Sequence, residues 1–217
     1  MKKERIVERI AEKVRKDLEN EGSGHDWWHV YRVWKMAKHV SKEESADTFV
    51  VELAALLHDI RDWKFHHSDD TVGPRMARRI LSKQGLPEDI ISHVCEIIQT
   101  APFKGAGMRT KMRTIEGKVV QDADRLDAIG AIGIARAFAY GGSKNRPIYN
   151  PNQKPMQHRT KEEYLKSESP TINHFYEKLL LLKDRMNTET AKKIAKERHK
   201  FMKKYLDRFF EEWEGRL

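Results

Sequence analysis

A single cysteine, Cys95, stands in a chain of 217 residues. No intrachain disulfide can form, and a structural zinc site built on thiolates is excluded. No run of about 18 apolar residues occurs, so no membrane-spanning helix is expected. The segment Met1-Lys2-Lys3-Glu4-Arg5 leads into an amphipathic pattern with acidic residues, not into the apolar stretch of a signal peptide. A reducing, cytoplasmic setting is the expectation. Strand patterns are lacking too, as are internal repeats and low-complexity tracts. Basic strands interleaved with aromatics, the mark of single-stranded nucleic-acid binders, are absent.

What is present is charge and helical periodicity. Lys and Arg total 42 against 33 Asp and Glu, a net charge of +9. Such an excess attracts polyanions, nucleotide phosphates among them. Much of it lies near the C-terminus, at Lys192, Lys193, Lys196, Arg198, Lys200, Lys203, Lys204 and Arg208. Asp207, Glu211, Glu212 and Glu214 are interleaved late in that stretch, and a solvated helix face accounts for most of it.

Apolar residues recur at helical spacing nearly throughout. Ile6, Ile10, Val14 and Leu18 mark a first helix, stopped by Gly22-Ser23-Gly24. A second starts near His25. A third starts at Asp47, a candidate N-cap, and runs to His58-Asp59. Arg61 to Asp70 is polar and reads as a loop. A fourth helix covers Val72 to Gln84, with Gly85 suited to its C-terminal turn. Pro87 fits the first turn of a fifth. Pro102 to Thr114 has no period and reads as a loop. A sixth helix begins near Ile115, and a seventh ends at Gly141-Gly142. Residues 141–170 hold four of the seven prolines and read as a lid or a flexible loop. Two helices follow, Thr171 to Asn187 and Thr188 to Trp213. The fold class is all-α, and the length favours one domain with an elaborated edge.

The chemistry concentrates in His58 and Asp59, adjacent at the end of the apolar run Leu53-Ala54-Ala55-Leu56-Leu57. Neighbouring helix residues point about 100° apart and seldom share a target. At a helix end the chain turns, and they can. His29, placed mid-helix in His25-Asp26-Trp27-Trp28-His29, supplies a second imidazole. Asp124 supplies a second carboxylate, in an acidic run with Asp122 and Asp127. Two His and two Asp suit Mn²⁺, Fe²⁺, Zn²⁺, Co²⁺ or Ni²⁺ and leave positions open for water and substrate oxygen.

The order His…His-Asp…Asp resembles the HD-domain superfamily of metal-dependent phosphohydrolases. Three segments carry the likeness: His25 to Val33, Leu56 to Lys64 and Gln121 to Gly130. They are similar to a bacterial single-domain HD subgroup that includes a Mn²⁺-dependent nucleoside triphosphate pyrophosphohydrolase. The resemblance implies an HD-domain helical bundle with additional C-terminal helices. It implies one domain over 1–217, with a motif-bearing core at 25–140 and C-terminal helices at 171–217. It implies metal ligands at His29, His58, Asp59 and Asp124, Asp124 being favoured over its acidic neighbours. The ion would be one divalent metal, Mn²⁺ favoured, with Fe²⁺, Co²⁺, Ni²⁺, Zn²⁺ and Mg²⁺ as alternatives. Asp62 occupies the place of a carboxylate general acid/base. His25, Lys64, His93 and Arg125 are candidates for substrate contacts. Trp27, Trp28 and Trp63 could stack a base, though core packing is the commoner use.

The expected activity is hydrolysis of a nucleotide phosphate ester or anhydride. The expected partner is a small phosphorylated molecule, with no membrane or nucleic acid, and a homodimer is compatible. One alternative is a nucleotide-sensing or nucleic-acid-binding module on the same fold. Another is a di-iron oxygenase, which needs two more histidines before the last Asp. Only His66, His67 and His93 are available there, and Asp62 stands where such an oxygenase would carry a lysine.

Overall fold

Asp47 starts the helix on which the rest of the N-terminal unit is built. Its carboxylate accepts from the backbone amides of Phe49 and Val50, capping α3 (Thr48–Leu57). Every residue of α3 from Phe49 to Leu57 is buried. A helix apolar all round must be surrounded, and α3 packs against α1 (Lys2–Asp17), α2 (Trp27–Glu43) and α5 (Glu88–Thr100). The amphipathic α4 (Val72–Lys83) closes on α5. Gly85 follows α4 with φ of 67°, the left-handed turn that glycine adopts most easily. Pro87 is the N-cap of α5, one residue earlier than its first turn.

This is a computed structural model, and it describes residues 2–19, 26–60, 71–101, 112–156 and 169–217. Among the described residues the secondary structure is helical with no strand. No helix among them is long and apolar enough to cross a membrane. They fall into two compact units, one within Met1–Phe103 and Thr110–Asp124, the other within Arg125–Leu217. α6 (Ile115–Asp127) begins in the first and ends in the second.

In the second unit α7 (Gly130–Ser143) packs against α8 (Thr171–Glu177) and against the long α9 (Glu189–Trp213). α9 is capped by Thr188, whose hydroxyl accepts from the Ala191 amide. The single helix expected over Thr171 to Asn187 is instead broken. α8 ends at Glu177, and Leu179–Arg185 continues as a 3-10 helix. Three residues per turn place Leu179 and Leu182 on one face, where both are buried. Between α7 and α8, the backbone pairs Pro147 with Thr171 and Ile148 with Ile172. Asn173 donates to the Gln153 carbonyl, and Glu177 accepts from the Met156 amide. Residues 144–156 are therefore pinned to α8. Residues 157–168, the remainder of the expected lid, lie outside the described residues.

One half-buried side chain in this unit makes stability depend on pH. His199, on α9, bonds the Leu180 carbonyl, while its buried Nδ1 has no hydrogen-bond partner. Burial first, then Lys183 and Lys203, lower its pKa from the ordinary 6.5. The folded chain therefore binds fewer protons here than the unfolded one. Stability from this group is full above pH 6.5, falls as the pH drops toward the folded pKa, and levels off below it. The melting temperature should fall more between about pH 7 and 5.5 in the native chain than in His199→Gln. Equal slopes would remove His199 as the cause.

Candidate metal centre

Two helix ends meet at the site. Asp26 caps α2, its Oδ1 accepting from the His29 amide at 2.8 Å. His29 is thus in the first turn of α2, not mid-helix as its sequence context suggested. Asp26 was not foreseen as its anchor, although an Asp three residues before a helical ligand is an N-cap signal. At the other end, α3 stops at Leu57 and His58 is its C-cap, so His58 and Asp59 stand at the helix end.

The donor atoms converge. His29 Nε2 lies 3.3 Å from His58 Nε2 and 3.2 Å from Asp59 Oδ2. His58 Nε2 lies 3.5 Å from Asp59 Oδ2. Asp124 Oδ1, from α6, lies 3.5 Å from His29 Nε2. Donor atoms of His29, His58 and Asp59 all lie within 4.8 Å of one another, and Asp124 joins at His29.

His58 Nδ1 lies 2.8 Å from the Ala55 carbonyl, an acceptor only. Nδ1 must therefore donate, which leaves the Nε2 lone pair facing the cluster. A lone pair, two carboxylates and a second imidazole nitrogen then share one small space. Acceptors crowd this way around a cation. Ligand bonds of about 2.0–2.2 Å set neighbouring donors roughly 3 Å apart, close to the separations seen. The residues fit a divalent ion.

Exposure rises across the cluster, with side chains 1% exposed at His29, 7% at His58, 14% at Asp59 and 34% at Asp124. The imidazoles form the buried floor, and the site opens on the side of Asp124. Asp122 is fully buried. Asp127 is buried too, and its Oδ2 lies 2.6 Å from Arg136 Nη1.

The remaining sequence candidates separate. His25, Asp62 and Lys64 lie outside the described residues, as do Trp63, His66 and His67. His93 is not brought to the cluster. Its Nε2 lies 3.0 Å from Thr114 Oγ1 and 3.7 Å from Glu116 Oε2, and Glu116 Oε1 accepts from the Asp47 amide. That places His93 at the start of α3, about 16 Å of helix from His58. Arg125 is buried and donates to the Arg185 carbonyl. Trp28 is exposed at the start of α2, with Tyr31 edge-on to it at 6.0 Å.

A family model for the HD domain matches residues 27–129. The protein YpgQ of Bacillus subtilis (strain 168) is 41% identical over 211 residues, covering 95% of this chain and 93% of YpgQ. An HD-superfamily hydrolase of Bacillus thuringiensis has a crystal structure 42% identical, with 98% of each chain covered and a TM-score of 0.79. A crystal structure of Bacillus subtilis YpgQ in complex with ADP is 38% identical, covering 95% of this chain and 96% of that one, with a TM-score of 0.73. The chain belongs to the HD-domain superfamily and is a metal-dependent hydrolase.

Proposed function

We propose that the chain hydrolyses a nucleotide, cleaving a nucleoside triphosphate to the monophosphate and pyrophosphate, with Mn²⁺ as the favoured ion. The observation that carries the reading is the cluster of His29, His58, Asp59 and Asp124, closed on its imidazole side and open at Asp124. The nucleotide is supported by the ADP held by YpgQ, a protein alike over nearly the whole chain. A cytoplasmic location suits such a substrate.

His29, His58, Asp59 and Asp124 would hold the ion. It would supply Lewis acidity, offsetting phosphoryl charge and acidifying water. The Ala55 carbonyl fixes the His58 ring with Nε2 turned to the cluster. The Asp26 cap fixes where α2 begins and so where His29 sits. In this reading Asp62 takes the proton of the attacking water, and His25 and Lys64 meet phosphate oxygens. His93 and Arg125 are engaged elsewhere and carry no role in it.

The test is a panel of nucleoside mono-, di- and triphosphates incubated with protein loaded with Mn²⁺, Co²⁺, Ni²⁺, Fe²⁺ or Mg²⁺. Pyrophosphate release from triphosphates, fastest with Mn²⁺, is the expected result. Release no greater than that of the His58→Ala, Asp59→Ala double variant would overturn the proposal. Inorganic phosphate as the first product would move the scissile bond.

A further inference from the structure

The positive charge is unevenly distributed. Residues 125–217 hold 20 Lys and Arg against 12 Asp and Glu, whereas residues 1–124 hold 22 against 21. Almost all of the +9 therefore belongs to residues 125–217. Within that span, α9 concentrates the excess on one side. Ala191, Ala195, Met202 and Leu206 form its buried face. At 100° per residue, Lys192, Lys193, Lys196, Lys200, Lys203 and Lys204 fall together on the opposite face, and all six are exposed.

Acids on that face do not cancel the row. Glu189 pairs with Lys192 at 2.7 Å and Glu197 with Lys200 at 2.8 Å. Lys193, Lys196, Lys203 and Lys204 form no ion pair among the described residues. Asp207 and Glu211 come only beyond the row, toward the helix end. The four unpaired ammonium groups span about 16 Å of a straight helix. Glu197 beside Lys196 and Asp207 one turn beyond Lys203 offset part of this charge, and the lysines left in excess repel each other, which a polyanion relieves.

We propose that this face of α9 is a docking surface for the phosphate backbone of double-helical nucleic acid. A duplex carries about one negative charge per 1.7 Å of its axis, dense enough to meet four cations over this length. Single strands are bound on aromatic platforms as well as cations, and the one exposed aromatic residue between Lys200 and Lys203, Phe201, is turned about 60° away from the nearest lysine of the row. The binding is therefore independent of base sequence and driven by counterion release. None of the four metal-centre candidates is on α9, so binding and hydrolysis are separable by mutation.

The test uses the full chain and a labelled DNA duplex of about 24 base pairs, followed by fluorescence anisotropy as salt is raised from about 50 to 200 mM. Four released counterions predict a log–log slope near −3.6, about a hundredfold loss of affinity over that range. The variant K193E/K196E/K203E/K204E should bind at least about tenfold more weakly at low salt, with a slope shallower by about 3.6. Its nucleotide hydrolysis and helical circular dichroism should match the native chain, which separates lost docking from lost folding. Equal duplex binding by native and variant chains overturns the proposal, as does no binding by the native chain. So does tighter binding to a single strand of equal length, or to vesicles containing phosphatidylserine, than to the duplex.

Discussion

Replacing His58 by alanine is expected to abolish metal-dependent hydrolysis while leaving the fold in place. His58 contributes one of three donor atoms that lie within 4.8 Å of one another, and its ring is fixed by the Ala55 carbonyl. Losing an outer partner of a metal ligand costs about 10–100-fold in metal affinity, and losing the ligand itself should cost more. Asp59→Ala should behave alike, since Asp59 Oδ2 lies against both imidazoles. Asp124→Ala should weaken metal binding less, because Asp124 is the most exposed of the four and, among the described residues, approaches the cluster at His29. The readout that separates ligand loss from misfolding is thermal. An ion present at about a hundred times its dissociation constant stabilises the native chain by roughly 2.7 kcal/mol. Mn²⁺ should raise the melting temperature of the native chain and leave that of His58→Ala unmoved. Equal Mn²⁺-induced shifts in both would remove His58 from the ligand set.

The same experiment settles a choice that residue spacing left open. Asp122, Asp124 and Asp127 are equally plausible ligands by residue type, and two of them lie within one turn of the third. Partners distinguish two of them. Asp124 Oδ1 lies 3.5 Å from His29 Nε2, whereas Asp127 is paired with Arg136, so Asp127→Asn should lower stability and preserve the Mn²⁺-induced shift.

His58 and Asp59 were legible as a candidate pair because they close the apolar run ending at Leu56-Leu57, where a turning chain lets adjacent side chains converge. Asp47 was legible as a cap for the same local reason. Gly85 was legible as a helix stop from its own conformational freedom. What stayed hidden depends on contacts distant in sequence. His93 looks like a phosphate ligand by charge and by closeness to the motifs, yet it meets Glu116 at the opposite end of α3. Which end of a helix a residue approaches is set by how α5 packs on α3, and no periodicity records that. The break after Glu177 was hidden differently. Leu179, Leu180, Leu181 and Leu182 suit an α-helix by propensity, and burial of two of them on one face selected the tighter turn instead.

Two glycines of α7, alike in sequence, should respond in opposite directions to the same substitution. Gly133 is buried in the first part of the helix. A Cβ there would stand 2.3 Å from the Ala128 carbonyl oxygen and 2.5 Å from its carbon. Both atoms are backbone, so no side chain can rotate aside. The segment from Ala128 to Gly130 would have to move, and Gly130 already sits at φ of 79° with the Arg198 side chain closing over it. Gly133→Ala should therefore cost about 2–4 kcal/mol, the range of overpacked or strained sites. Gly142 lies in the last turn with nothing within 4 Å of a Cβ and without a positive φ. Gly142→Ala removes the flexibility of the unfolded chain and should stabilise by about 0.5–1 kcal/mol. Urea unfolding of the two variants beside the native chain measures both, with the midpoint moving down for Gly133→Ala and up for Gly142→Ala. A Gly133→Ala midpoint equal to that of the native chain would mean that the turn before α7 yields freely, and the close approach of Ala128 would then have no part in holding the helix in place.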